Sequence, residues 1–100
     1  MSSTTSLTEG IRLAELDPGS VVEVVTGSRC YRLASGADGE VLISGHPDLC
    51  PAPIAAQIGS ISLDRSTHIP GFVCLGMYME VCCSNDVVFR TSAVVDIRVL

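Results

Sequence analysis

The chain has one hundred residues, a formal charge of −5, five cysteines, four aromatic side chains, and six arginines with no lysine. That length holds one domain with one core, and the charge balance excludes the clustered Lys and Arg on which nucleic-acid binding depends. Without lysine there is neither Schiff-base chemistry nor a Walker-type phosphate loop.

Residues 1–6 are small and polar, lack a basic stretch ahead of an apolar one, and read as a disordered tail rather than a signal peptide. Residues 7–100 read as a single β domain. No apolar run approaches the length of a membrane span, and an odd cysteine number without an export signal suits reduced thiols. A soluble, cytoplasmic protein without a membrane partner is the expectation.

From Ser6 to Leu16 two readings compete. Ser6 and Glu9 have capping-box spacing and Leu7, Ile11 and Ala14 fit a helical stripe, which favours a short N-terminal helix, whereas Gly10 weakens it and favours an irregular strand. Asp17-Pro18-Gly19 then makes a turn. The runs Val21–Thr26 and Arg29–Ser35 flank Gly27-Ser28, whose leading glycine suits a type II′ hairpin. That loop pairs Val22 with Leu33, Val24 with Tyr31, and Glu23 with Arg32, leaving one face apolar and the other carrying an ion pair.

A three-residue loop, Ala37-Asp38-Gly39, brings Leu33 opposite Ile43 and Ser35 opposite Val41, whereas a two-residue Asp38-Gly39 loop flips the faces. Next comes His46 to Pro53, stiffened by three prolines, and an apolar stretch from Ile54 to Leu63 that includes another strand. From Phe72 to Cys83, alternate residues Val73, Leu75, Met77, Met79, Val81 and Cys83 form an inward stripe. With Ser84-Asn85-Asp86 as the loop, Phe89 meets Val81 and Glu80 meets Arg90. The last run turns Val95, Ile97 and Val99 inward. Gly59 and Gly76, inside apolar runs, mark bends.

Five to seven short antiparallel strands imply an all-β fold: a small barrel, SH3-like or OB-like in architecture, or a two-layer sandwich.

Several residue groups invite chemistry. His46 and Cys50 are zinc-ligand types on one short loop, but a structural site needs about four ligands. Cys74 and Cys82, eight residues apart on one extended strand, would lie roughly 26 Å from each other. A Cys50–His46–Asp48 triad has the right residue types but too little room to align, and Asp64, Ser66 and His68 lack the elbow of a serine hydrolase. Glu23 and Glu80 each face an arginine, which argues against paired acids for glycoside chemistry.

The remaining feature is a set of apolar residues on the outer face: Val21, Val25, Tyr78, Val88 and Val94. Such a set marks an interface. The functional expectation is therefore a non-enzymatic module, without cofactor, that self-associates or binds a protein partner. The alternative is a zinc or thiol redox site at His46 and Cys50, and a small-molecule pocket near the proline loop stays open beside both.

Overall fold

The computed structural model describes residues 10–36 and 41–100, and the backbone of residues 5–6. Its strands are β1 (Thr5–Ser6), β2 (Gly10–Arg12), β3 (Val21–Thr26), β4 (Cys30–Ser35), β5 (Val41–Ser44), β6 (Ile54–Ile61), β7 (His68–Pro70), β8 (Phe72–Cys74), β9 (Tyr78–Cys83) and β10 (Val88–Val99). Six of them close a ring in the order β3-β4-β5-β6-β9-β10, every neighbour antiparallel, with β10 returning to β3. The fold is thus the small antiparallel barrel, not the sandwich. Full closure pairs both sides of each ring strand and leaves no long open edge there.

The hairpin registers follow the alternation of the residues. Val22 meets Leu33, Glu23 meets Arg32 and Val24 meets Tyr31; Leu33 meets Ile43 and Ser35 meets Val41; Phe89 meets Val81 and Arg90 meets Glu80. The loop expected at 37–39 lies outside the described residues. Directly opposed residues share a face, so Val22, Val24, Leu33, Ile43, Val81 and Ile97 fill the interior with 0% exposure. The Gly27-Ser28 loop has the expected length but not the type II′ geometry. Among the described glycines, positive φ falls at Gly19, Gly45, Gly71 and Gly76 instead. At this hairpin the Thr26 hydroxyl organises the loop, donating to the Arg29 carbonyl at 3.0 Å and accepting the Arg29 amide at 3.1 Å.

Four expectations are corrected or decided between. First, Thr5–Ser6 pairs with Val99 and Arg98, so residues 1–6 are not wholly a free tail. Second, the N-terminal segment takes the strand form: Gly10–Arg12 pairs with Phe72–Cys74, and a 3-10 turn follows at Leu13–Glu15. The Ser6/Glu9 capping pattern involves residues outside the described set.

Third, the stripe from Phe72 to Cys83 is two strands. The Met77 amide bonds to the Cys74 carbonyl at 3.3 Å, and Gly76 holds φ +83° as the third residue of a type II turn requires. β8 therefore leaves the barrel to pair with β2 while β9 joins the ring, and Cys74 and Cys82 do not share a strand.

The fourth correction concerns Val94 and Val95. The register of β10 shifts between Arg90 and Ala93 and again between Val94 and Asp96, and each extra residue reverses the alternation downstream. Val94 is 2% exposed inside the core, and Val95 is 61% exposed. Val94 is accordingly no part of an outer interface.

Candidate functional site

The loop between β5 and β6 uses its His and Cys to hold itself together. The Cys50 amide donates to the His46 carbonyl and the Gly45 amide to the Cys50 carbonyl, both at 3.0 Å. The His46 Nδ1 accepts the amides of Asp48 and Leu49, each at 3.1 Å, so its lone pair is engaged by the backbone. The ring leans on Phe89 at 5.8 Å between centroids. Cys50 is 1% exposed and belongs to the core. Among the described residues no group of three or more His, Cys, Asp or Glu side chains is gathered as a metal ion requires. Asp48 gives its amide to the imidazole, so the geometry does not form the Cys-His-Asp relay that those residue types suggest.

Asp64, Ser66 and His68 are also separated in role. Asp64 Oδ1 accepts the Ser62 hydroxyl, the Ser66 amide and the Ser66 hydroxyl at 2.7, 3.0 and 2.7 Å. His68 instead turns its Nε2 toward Glu80, 3.6 Å away.

The outer face carries the ion pairs and the apolar residues together. Arg32 reaches Glu23 at 3.3 Å and Arg90 reaches Glu80 at 3.8 Å. Val21 and Val25 flank Glu23 on β3 and are half-buried, Tyr78 is half-buried on β9, and Val88 is 62% exposed on β10. The registers add what residue-by-residue reading missed: Val21 opposes Ala34, Ala34 opposes Leu42, and Leu42 opposes Ala55. These four half-buried side chains form one file across β3, β4, β5 and β6. Leu100 is 52% exposed and bonds through its amide to the Val21 carbonyl, extending the file. The alternation within each strand signals the outward direction of these residues, but their adjacency needs three consecutive registers.

A second feature has no signal in the sequence. β5 covers β6 as far as Ala56 and β7 covers it from Gly59 onward, and beside this split opens a cleft of about 430 Å³. Its lining comes from the 3-10 turn, β5, β6, β7 and β9, which are far apart in the chain. Leu13, Val41, Ile58 and Pro70 contribute apolar surface; Gln57, His68, Glu80 and Cys82 contribute polar groups. Gly59 permits the arrangement, since a Cβ there would lie 2.9 Å from His68 Nε2 and 3.1 Å from the Ile69 carbonyl oxygen. Cys82 and its neighbour Cys83 point to opposite sides, Cys83 being buried in the core. Burial, and then the nearby thiols of Cys50 and Cys82, push the Cys83 thiol pKa up.

In comparisons with protein-family models, with curated proteins and with solved structures, no match to this chain was found. Among the described residues no helix is long and apolar enough to cross a membrane.

Proposed function

We propose that the protein is a non-enzymatic β-barrel module that works by association, as a dimer of identical chains meeting through the file Val21-Ala34-Leu42-Ala55. The observation that carries this reading is the register that sets those four apolar side chains side by side on four adjacent strands, a span of about 15 Å at the ordinary interstrand spacing. Apolar residues scattered singly over a surface need no explanation, whereas a contiguous group favours a partner. The neighbouring file supports a second copy as that partner. It runs Arg98, Glu23, Arg32, Ser44, and a two-fold axis passing between Glu23 and Arg32 sets each of these two against its opposite charge in the second copy. The proposed setting is the reducing cytoplasm, in keeping with five cysteines none of which is paired.

The test is native mass spectrometry and light scattering on the tag-free full chain under reducing conditions. A dimer is expected, converted to monomer by Leu42→Glu or Val21→Glu with the far-ultraviolet circular dichroism unchanged. A wild-type protein that stays monomeric at about 100 µM, or a dimer indifferent to both substitutions, overturns the reading.

A further inference from the structure

The cleft beside the split in β6 shares no lining residue with the dimer file and has the character of a ligand site. Its volume of about 430 Å³ falls within the range of small-molecule pockets, which are mainly apolar and carry a few convergent polar groups. Among the described residues that line it, Glu80 is the only carboxylate and none is an arginine.

The carboxylate is incompletely engaged. Its side chain is 24% exposed, with His68 Nε2 3.6 Å from one oxygen and Arg90 Nη2 3.8 Å from the other. A charge-assisted hydrogen bond is shorter, about 2.7–2.9 Å. Both ion-pair partners thus stand beyond that range, and the partly exposed carboxylate faces the cleft. Around it, the exposed Ala14 and Pro70 and the half-buried Ala56, beside the buried Leu13, Val41 and Ile58, supply apolar surface that gains from being covered. The chain as a whole is at −5, which favours the approach of a cation over that of an anion.

We infer that this cleft binds a small organic cation, a primary amine on an apolar ring system, with the ammonium donating to the Glu80 carboxylate and the ring lying against the apolar walls. Gln57, at the same rim, offers an amide for any further polar group on the ligand.

The experiment uses two probes with the same indole body and opposite charge, tryptamine and indole-3-acetate. Each is titrated into the full-length protein and followed by amide chemical shifts. Tryptamine is expected to saturate in the range of about 0.1–5 mM, as its size allows, with the largest shifts at Gln57, Gly59, Gly71 and Glu80. Indole-3-acetate is expected to bind at least about tenfold more weakly. Glu80→Gln, which keeps the shape and removes the charge, should weaken tryptamine about tenfold or more and narrow the difference between the probes. Ala14→Phe, at an exposed position on the rim, fills the entrance from outside the barrel and should weaken both probes; it keeps the test decisive if Glu80→Gln does not fold. No saturable tryptamine shift up to about 10 mM, equal binding of the two probes, or shifts centred away from the cleft would overturn the inference.

Discussion

Asp64 holds the turn between β6 and β7 through one oxygen that takes three donors. The Ser66 amide, then the hydroxyls of Ser62 and Ser66, hold its carboxyl down to about 2 from the ordinary 3.8. Because the folded value lies below the unfolded one, the turn's contribution is complete above the unfolded value and is lost as pH falls through about 2. A carboxyl-carbon titration by NMR should give a midpoint near 2; a midpoint at the ordinary value would mean the three donors do not hold Asp64 in solution. The same side chain illustrates how local sequence misleads about chemistry. Asp, Ser and His within five residues resemble a hydrolytic set, but a short turn satisfies itself first, and His68 is drawn to Glu80 on another strand.

At the scale of elements, β10 decides more than any other strand. Its twelve residues pair with β9 in the first half and with β3 in the second, so it must bend between two neighbours to close the ring, and bulges supply the bend. The buried Thr91 hydroxyl serves this irregular stretch, accepting the Met79 amide at 3.2 Å and donating to the Ser92 carbonyl at 2.7 Å. The phase reversal is testable with two adjacent substitutions. Val94→Asp should cost about 3 kcal/mol or more, because it buries an unpaired charge, whereas Val95→Asp should stay within about 0.5 kcal/mol. Urea denaturation of both variants measures the difference. The reverse order, with Val95→Asp the costlier, would mean that the alternation runs unbroken through β10. The first two hairpins are legible without such help: the loop lengths set one register in which Val22, Val24, Leu33 and Ile43 turn inward together and Glu23 meets Arg32.

For the whole molecule, closure separates an interior from an exterior, and the cysteines sample both. Cys50 and Cys83 are buried, Cys74 and Cys82 are half-buried, and Cys30 is exposed. In the native protein a thiol reagent should modify Cys30 first and Cys74 and Cys82 more slowly. Cys50 and Cys83 should lag by about a thousandfold or more, since they wait for unfolding. The raised pKa of Cys83 adds to its protection, because the thiolate is the reactive form. Counting modified thiols by mass spectrometry against time checks this, and early modification of Cys50 or Cys83 would mean the barrel interior is open to solvent. Closure also changes the basis for association. With both sides of each ring strand already paired, the proposed dimer is formed through the outer side-chain surface.

The sequence by itself determined the all-β class, the three hairpin registers, the inward apolar residues of the first two hairpins and the ion pairs Glu23–Arg32 and Glu80–Arg90, because each depends on alternation and loop length within a few residues. It marked a bend at Gly76 but did not determine that Phe72–Cys83 divides there into two strands with different partners, since an apolar stripe reads alike through a turn and through a strand. Nor did it place Val94 and Val95, because a bulge shows only when two neighbours are in position to impose it. The file Val21-Ala34-Leu42-Ala55 and the cleft around Glu80 belong to the tertiary structure alone. The file needs three registers in succession, and the cleft needs the 3-10 turn, β5, β7 and β9 brought to one side of β6. Local physics sets which way each residue points along a strand; only closure of the ring decides which residues become neighbours across it.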